Sequence, residues 1–499
     1  MKKAKLLIIV LFQNLGDEYP YYARNPAPPL PGILLAGMTP PIVDVEVLHE
    51  MVRPIDYSTD ADFIALSFMD YIAPHAYEVA RRFRSLGKIV VAGGKFASTH
   101  PDEVQPHFHS ILVGEAQGLW PRMVNDLVNG TLQPRYEADA IPSLKDIPPP
   151  RYDLVESAYV TPVVTEGSRG CPHPCTYCAL NIKRMAYRTR PVEDVIRDLK
   201  STARLPWYKR KMAMILDNNL GGDLAWAKEL LREIAKLRFW AVGVQFSVEC
   251  LRDNEFVELL AKANCRMAFI GMESLNQASL AGVEKKQNKV QEYKEFFTKL
   301  NQRGILTFTG FMFALDEDTV SYYADLPNRL DDVGTNVILP SISIPIYGTP
   351  LHKQMMEEGR IVDFDLSHYE GDHLLFKHKH LTDEEIHEAY QRVNRIFFSW
   401  KNIVRRWVKF LALQHKTESF SQFLLKLVVT SFVYYKLSIF QRHHAQQKVL
   451  QGHRVEAAPR REDARHERQP RYVPHPSFPS PDRRGDVERS ETGVRYKRD

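Results

Sequence analysis

Short apolar runs alternate with amphipathic stretches along most of this chain, in two successive series. In the first, the runs are residues 6–12, 43–48, 63–68, 89–92 and 111–113. They are continuous rather than alternating, as strands covered on both faces are. The segments between them, such as 73–86 and 120–128, place apolar residues at helical spacing with polar opposite faces. This βαβ alternation predicts an α/β domain over residues 1–145, built on a doubly wound, Rossmann-like parallel sheet. Ile147-Pro148-Pro149-Pro150 then breaks both patterns and reads as a linker.

The second series has strand candidates at 163–165, 212–216, 242–248, 267–270, 306–314 and 337–343, with helices between them at 192–202, 224–237, 253–263 and 290–302. Six such units over 155–365 predict a partial (β/α)6 barrel, whose chemistry belongs at the carboxyl ends of its strands. A helical region follows over 366–445. Within it, residues 423–437 are strongly apolar but interrupted by lysines, which fits a helix packed on the barrel or, as the alternative, a peripheral contact with a membrane surface. Residues 446–499 are rich in Arg, Pro, Glu and His and poor in apolar groups, so they read as a disordered basic tail.

Composition sharpens this picture in three places. The net charge of the 499 residues is +5, and residues 441–499, with 14 Lys and Arg against 9 Asp and Glu, account for all of it. The predicted body is therefore neutral, which argues against a nucleic-acid-binding face. The start, Met1-Lys2-Lys3-Ala4-Lys5 and an apolar run, imitates a secretory signal, but no cleavage site follows and Asp17-Glu18 arrives at once. No stretch reaches the roughly 18 apolar residues of a membrane span. A cytoplasmic location is the expectation.

The chemistry is concentrated in Gly170-Cys171-Pro172-His173-Pro174-Cys175-Thr176-Tyr177-Cys178, which holds three of the five cysteines just after the first barrel strand. Three thiolates can hold a cubane cluster and leave one iron open to a small ligand. Zinc would need a fourth ligand, and His173, boxed between two prolines of the same loop, is poorly placed to supply it. A disulfide is weaker still in a long, cysteine-poor chain with an odd count. Cys250 and Cys265 read as small buried hydrophobes.

The loop resembles that of the radical S-adenosylmethionine (SAM) superfamily, Cys-x3-Cys-x2-Cys with an aromatic before the last cysteine. The resemblance implies a [4Fe–4S] cluster on Cys171, Cys175 and Cys178. It also implies SAM on the open iron, cleavage to a 5′-deoxyadenosyl radical, and an electron donor such as flavodoxin or ferredoxin. Other strand ends then gain a second reading. Asp217 and Asn218 after the second strand are helix-cap residues by type, but by resemblance they contact the SAM amino group. Gly271-Met272-Glu273-Ser274 resembles the fourth-strand motif, which assigns Glu273 and Ser274 to SAM. A carboxylate ending an apolar strand needs a partner in any case. Ser247 closes the third strand beside Glu249, which reads equally as a solvated rim residue. Gly310 in the fifth suits close adenine approach or a bulge.

The first domain narrows the branch. Pro28-Pro29-Leu30-Pro31-Gly32, Ala65-Leu66-Ser67-Phe68-Met69, Val90-Val91-Ala92-Gly93-Gly94 and Leu112-Val113-Gly114-Glu115-Ala116 resemble the cobalamin-binding domain found ahead of the barrel in one large branch. Ser67, Gly93 and Gly94 lie at strand ends, where such a sheet admits a nucleotide tail. The chain departs from the Asp-x-His-x-x-Gly of histidine-ligated modules, reading Gln13-Asn14-Leu15-Gly16-Asp17 instead. The resemblance thus implies cobalamin held without a protein histidine or, as the alternative, a domain that has kept its fold and lost the cofactor; with cobalamin it implies methyl transfer to an unactivated carbon of a small-molecule, lipid or pigment substrate. Radical-driven oxidative cyclisation or rearrangement of a large apolar substrate, porphyrin- or lipid-type, is the alternative.

Overall fold

The computed structural model describes residues 3–12, 27–183 and 185–413, together with Leu427, Val428, Thr430, Ser431, Tyr434, Tyr435 and Ser438. The Gln13 to Asp17 segment, most of 423–437 and the tail lie outside them.

The first sheet contains β1 (Ala4–Val10), β2 (Val43–His49), β3 (Phe63–Ser67), β4 (Ile89–Gly93), β5 (Ser110–Val113) and β6 (Arg135–Glu137). Its order is β2-β1-β3-β4-β5-β6, all parallel. The chain reverses its winding between β1 and β3, which opens a crevice at their carboxyl ends. Successive residues of β1 serve opposite faces. Leu7 and Ile9 pack with Ala76, Val79 and Phe83 of the helix Ala73–Ser85, while Leu6 and Ile8 pack with Ile33, Leu34 and Trp120. The second face shares one continuous core with the barrel.

β6 is a three-residue edge strand with one inward side chain, Tyr136, and carries too little pattern to be read from sequence. The helix Leu30–Met38 is also absent from the sequence expectation. Its prolines look like a turn, yet they occupy the first helical positions, where a missing N–H costs nothing. The proline linker is seated on this helix: a Cβ on Gly37 would lie 2.3 Å from the Pro149 carbonyl oxygen.

The second sheet runs in chain order, β7 (Val163–Thr165), β10 (Met212–Ile215), β11 (Ala241–Phe246), β12 (Cys265–Glu273), β13 (Leu306–Phe313) and β14 (Val337–Ile342). Every pairing in it is parallel. Between its first two strands sits a small antiparallel hairpin, β8 (Ser168–Arg169) with β9 (Arg188–Thr189), and the cysteine loop is its connection. Farther along come the helices Asp383–Phe397, opened by a Thr382/Glu385 capping box, and Trp400–Leu413.

Candidate functional site

The cysteine loop is pinned at its base. Gly170 adopts φ +85°, and a Cβ there would lie 2.5 Å from the Ala186 carbonyl oxygen, so only glycine lets the two ends of the loop pass. Asp217, at the end of β10, is 1% exposed. Its carboxylate accepts from the Gly167 amide at 2.6 Å and the Ser168 hydroxyl at 2.7 Å. Burial pushes its pKa up to about 6. Asp217 therefore serves the start of the cysteine hairpin. It does not cap the helix Leu224–Lys236, a task done by Asp223.

All three loop cysteines are free thiols, Cys175 buried and the other two half-buried. Burial raises the pKa values of Cys171 and Cys178, so their thiolates need a cationic partner, which iron supplies. The Asn219 and Gln287 amides lie 3.9 Å and 3.8 Å from the Cys171 and Cys175 sulfurs. His173 is 2.6 Å from Glu249, which gives that ring a carboxylate rather than a metal as its neighbour. Among the described residues, no three His, Cys, Asp or Glu side chains converge tightly enough to hold one metal ion. Three thiolates in one loop, with His173 engaged by Glu249, fit a cubane cluster, which spreads its thiolates over separate irons.

The mouth beneath the loop is charged. The β12–β13 register shifts between Gly271 and Glu273, and Glu273 takes φ +65°, a bulge that turns its carboxylate inward. A Cβ on Gly271 would lie 2.6 Å from Glu273 Oε1, and one on Gly310 would lie 3.1 Å from Oε2. The two strand glycines leave room for this carboxylate. Lys285 donates to Glu273 at 3.0 Å and to the Tyr177 hydroxyl at 3.1 Å. Burial alone would lower its pKa, but Glu273, Tyr177 and Cys175 outweigh that and hold it well above the ordinary value.

The remaining expected residues separate. Ser247 is half-buried, and its amide donates to Asn219 Oδ1 at 3.0 Å, close to Cys171. Asn218 is exposed and engages Gln245 only through its carbonyl, at 3.4 Å. Ser274 is fully buried against the Tyr322 hydroxyl at 3.1 Å, behind the strand and away from the mouth. Lys285, Asn219 and Gln287 went unassigned in the sequence because each reaches the site from a loop.

A cavity of about 440 Å³ lies in the first sheet at the carboxyl ends of its strands, bordered by Leu34, Ala65, Ser67, Gly93, Gly94 and Trp120. Gly94 adopts φ +105°, and a Cβ there would lie 2.7 Å from the Phe68 carbonyl oxygen. Glu115, Glu166 and Arg169 form the charged stretch of its wall. An apolar slot approached by bare backbone fits a flat heteroaromatic tail.

A parallel doubly wound sheet, followed by a partial barrel with three free cysteines in its first βα connection, defines a cluster-bearing barrel enzyme. Residues 165–328 match the model of the Radical SAM superfamily, so the barrel is a radical SAM domain. It is 28% identical over 410 residues to the bacteriochlorophyllide d C-8(2)-methyltransferase of Chlorobaculum tepidum, covering 75% of this chain and 86% of that protein. It is 23% identical over 327 residues to the anaerobic magnesium-protoporphyrin IX monomethyl ester cyclase of Synechocystis sp., covering 59% and 63%. Its fold resembles that of the cobalamin-dependent SAM radical enzyme OxsB, solved with aqua-cobalamin bound, with a TM-score of 0.62 at 13% identity over 91% of this chain and 81% of that one.

Proposed function

We propose that this chain is an anaerobic radical SAM methylase that uses cobalamin to methylate an unactivated carbon of a tetrapyrrole-type pigment, the substrate class in the names of its methyltransferase and cyclase relatives. The observation that carries this reading is that Arg169, two residues before Cys171, also walls the apolar cavity of the first sheet. Radical generation and a corrinoid would thus meet across one short segment. When bound, the cluster supplies the electron that splits SAM and the corrinoid supplies a methyl carrier.

The chain's own residues bind and orient these groups. Cys171, Cys175 and Cys178 hold the iron, with the Asn219 and Gln287 amides beside two of the sulfurs. Glu273 and Lys285 present opposite charges 3.0 Å apart at the mouth. A methionyl zwitterion satisfies both, its ammonium on Glu273 and its carboxylate on Lys285. Ser67, Gly93 and Gly94 receive the corrinoid tail, and the apolar lining keeps water from it. Electrons come from a donor of the flavodoxin or ferredoxin class.

The test is anaerobic incubation of reduced, cobalamin-loaded protein with methyl-labelled SAM and a chlorophyllide-type pigment. The reading expects 5′-deoxyadenosine and labelled product together. 5′-Deoxyadenosine with unlabelled, oxidised product would transfer the assignment to cyclisation, which the lower identity and shorter coverage of the cyclase relative favour less.

Among the described residues no helix is long and apolar enough to cross a membrane. Peripheral contact has local support in the helix Trp400–Leu413, where Trp400, Val404 and Val408 are exposed beside exposed Lys401, Arg405 and Lys409. That pattern suits an anionic bilayer surface. Flotation with vesicles containing anionic lipid, lost in Trp400→Asp/Val408→Asp, tests it.

A further inference from the structure

Glu115 follows β5 in the first domain, yet its carboxylate is spent on the second. Oε2 accepts from Arg169 Nη1 at 2.7 Å, and Oε1 accepts from Arg188 Nη2. Arg169 and Arg188 are directly facing partners in the β8–β9 pairing. Two cations in that position repel one another, and a hairpin of two-residue strands has little ladder with which to resist. Arg169 is also neutralised by Glu166, at 2.9 Å from its Nε, and Arg188 donates to the Pro142 carbonyl at 2.9 Å. The Glu115, Arg169 and Arg188 side chains are only 11%, 15% and 23% exposed, so their attraction is little screened. The same Glu115 and Arg169 form part of the cavity wall.

We propose that Glu115 is a positioning residue that clamps the cysteine hairpin to the first domain and passes the filling of the cavity to the cluster loop. This rests on the corrinoid reading above. A ligand in the cavity presses on the carboxylate that keeps the two arginines together, and the hairpin that sets Cys171 moves or stiffens with it. Loosening the clamp removes none of the cluster's cysteine ligands but frees the hairpin from the cavity.

The test compares wild type, E115Q and E115A, prepared anaerobically with and without hydroxocobalamin. In wild type, cobalamin is expected to slow amide hydrogen exchange across residues 168–189 severalfold. In E115A that segment exchanges at least tenfold faster and no longer responds to cobalamin, and E115Q falls between. Iron content and 5′-deoxyadenosine release from SAM alone stay within twofold of wild type, while passage of methyl label from SAM to reduced cobalamin falls at least tenfold. Unchanged exchange in E115A, or a parallel loss of iron, SAM cleavage and methyl passage, overturns the proposal and leaves an ordinary structural ion pair. Wild-type protein that takes up no cobalamin defeats the corrinoid reading and the coupling with it. Exchange in cobalamin-free E115A then still reports whether Glu115 holds the hairpin.

Discussion

The barrel mouth and the crevice of the first sheet are built on opposite principles. The mouth is a set of charges, with Glu273, Lys285 and Tyr177 linked beneath a loop in which burial raises the pKa values of Cys171 and Cys178. The crevice is mostly apolar, its charges gathered in one stretch of Glu115, Glu166 and Arg169, and it is shaped by what is missing, the Cβ atoms of Gly93 and Gly94. A charged site holds its ligand through groups that are costly to leave unpaired, so single side-chain changes cost much. A shape-selecting site tolerates polar changes but not added volume.

Breaking the mouth at its cluster is expected to have the largest effect. Cys175→Ala leaves two loop thiolates, and anaerobic reconstitution should fall from about four iron per chain to none, with all SAM cleavage lost. Cobalamin uptake should persist, because the crevice lies in a different sheet.

The converse break is Gly94→Leu. The side chain is strained by φ +105° and meets the Phe68 backbone. Cobalamin uptake should drop at least tenfold while iron content holds, as measured by visible spectra and iron analysis of the same sample.

Lys285 and Glu273 sharpen the contrast, because removing either leaves the other charge poorly solvated. Each single alanine variant should lose about 3–5 kcal/mol of stability and the double variant less than their sum. SAM affinity should fall in all three. A double-mutant cycle by denaturant unfolding, with SAM titrations alongside, checks both. Equal SAM affinity in wild type and Glu273→Ala would return Glu273 to a purely structural role.

The smallest expected effect is that of pH on Asp217. Its folded pKa of about 6 lies above the ordinary carboxyl value, so the folded state keeps this proton longer than the unfolded chain does. Its contribution therefore weakens as pH rises, by about 1 kcal/mol between pH 5 and 7. Asp217→Asn retains an acceptor for the Gly167 amide and should remove that slope in denaturant unfolding.

Most strands were legible because both sheets are parallel and buried, so their strands stand out as unbroken apolar runs. The helix Leu30–Met38 was not among the elements expected, since it opens on prolines, which sequence alone does not place at a helix start. The cysteine triplet was legible because its spacing is local. Ser274 meets Tyr322 while its neighbour Glu273 meets Lys285. Adjacent residues at a strand end point to opposite sides, and sequence does not say which parity faces the mouth. After β10, Asn219 rather than Asn218 comes near Cys171. Lys285 and Glu115 act across long stretches of chain, 12 and 54 residues from Glu273 and Arg169, and carry no periodic signal at all.

The β8–β9 hairpin has a consequence for how the protein ages in air. It pairs only two residues on each side, so its persistence depends on the ions at its base and on whatever its thiols hold. Oxygen that strips the cluster removes one of those supports without touching either large sheet. The earliest damage should then be a local opening between residues 170 and 187, seen as a first protease cut there while the rest of the chain still melts cooperatively. Such a nick would separate the cysteines from β9 and make loss of the cluster irreversible, long before the fold itself fails.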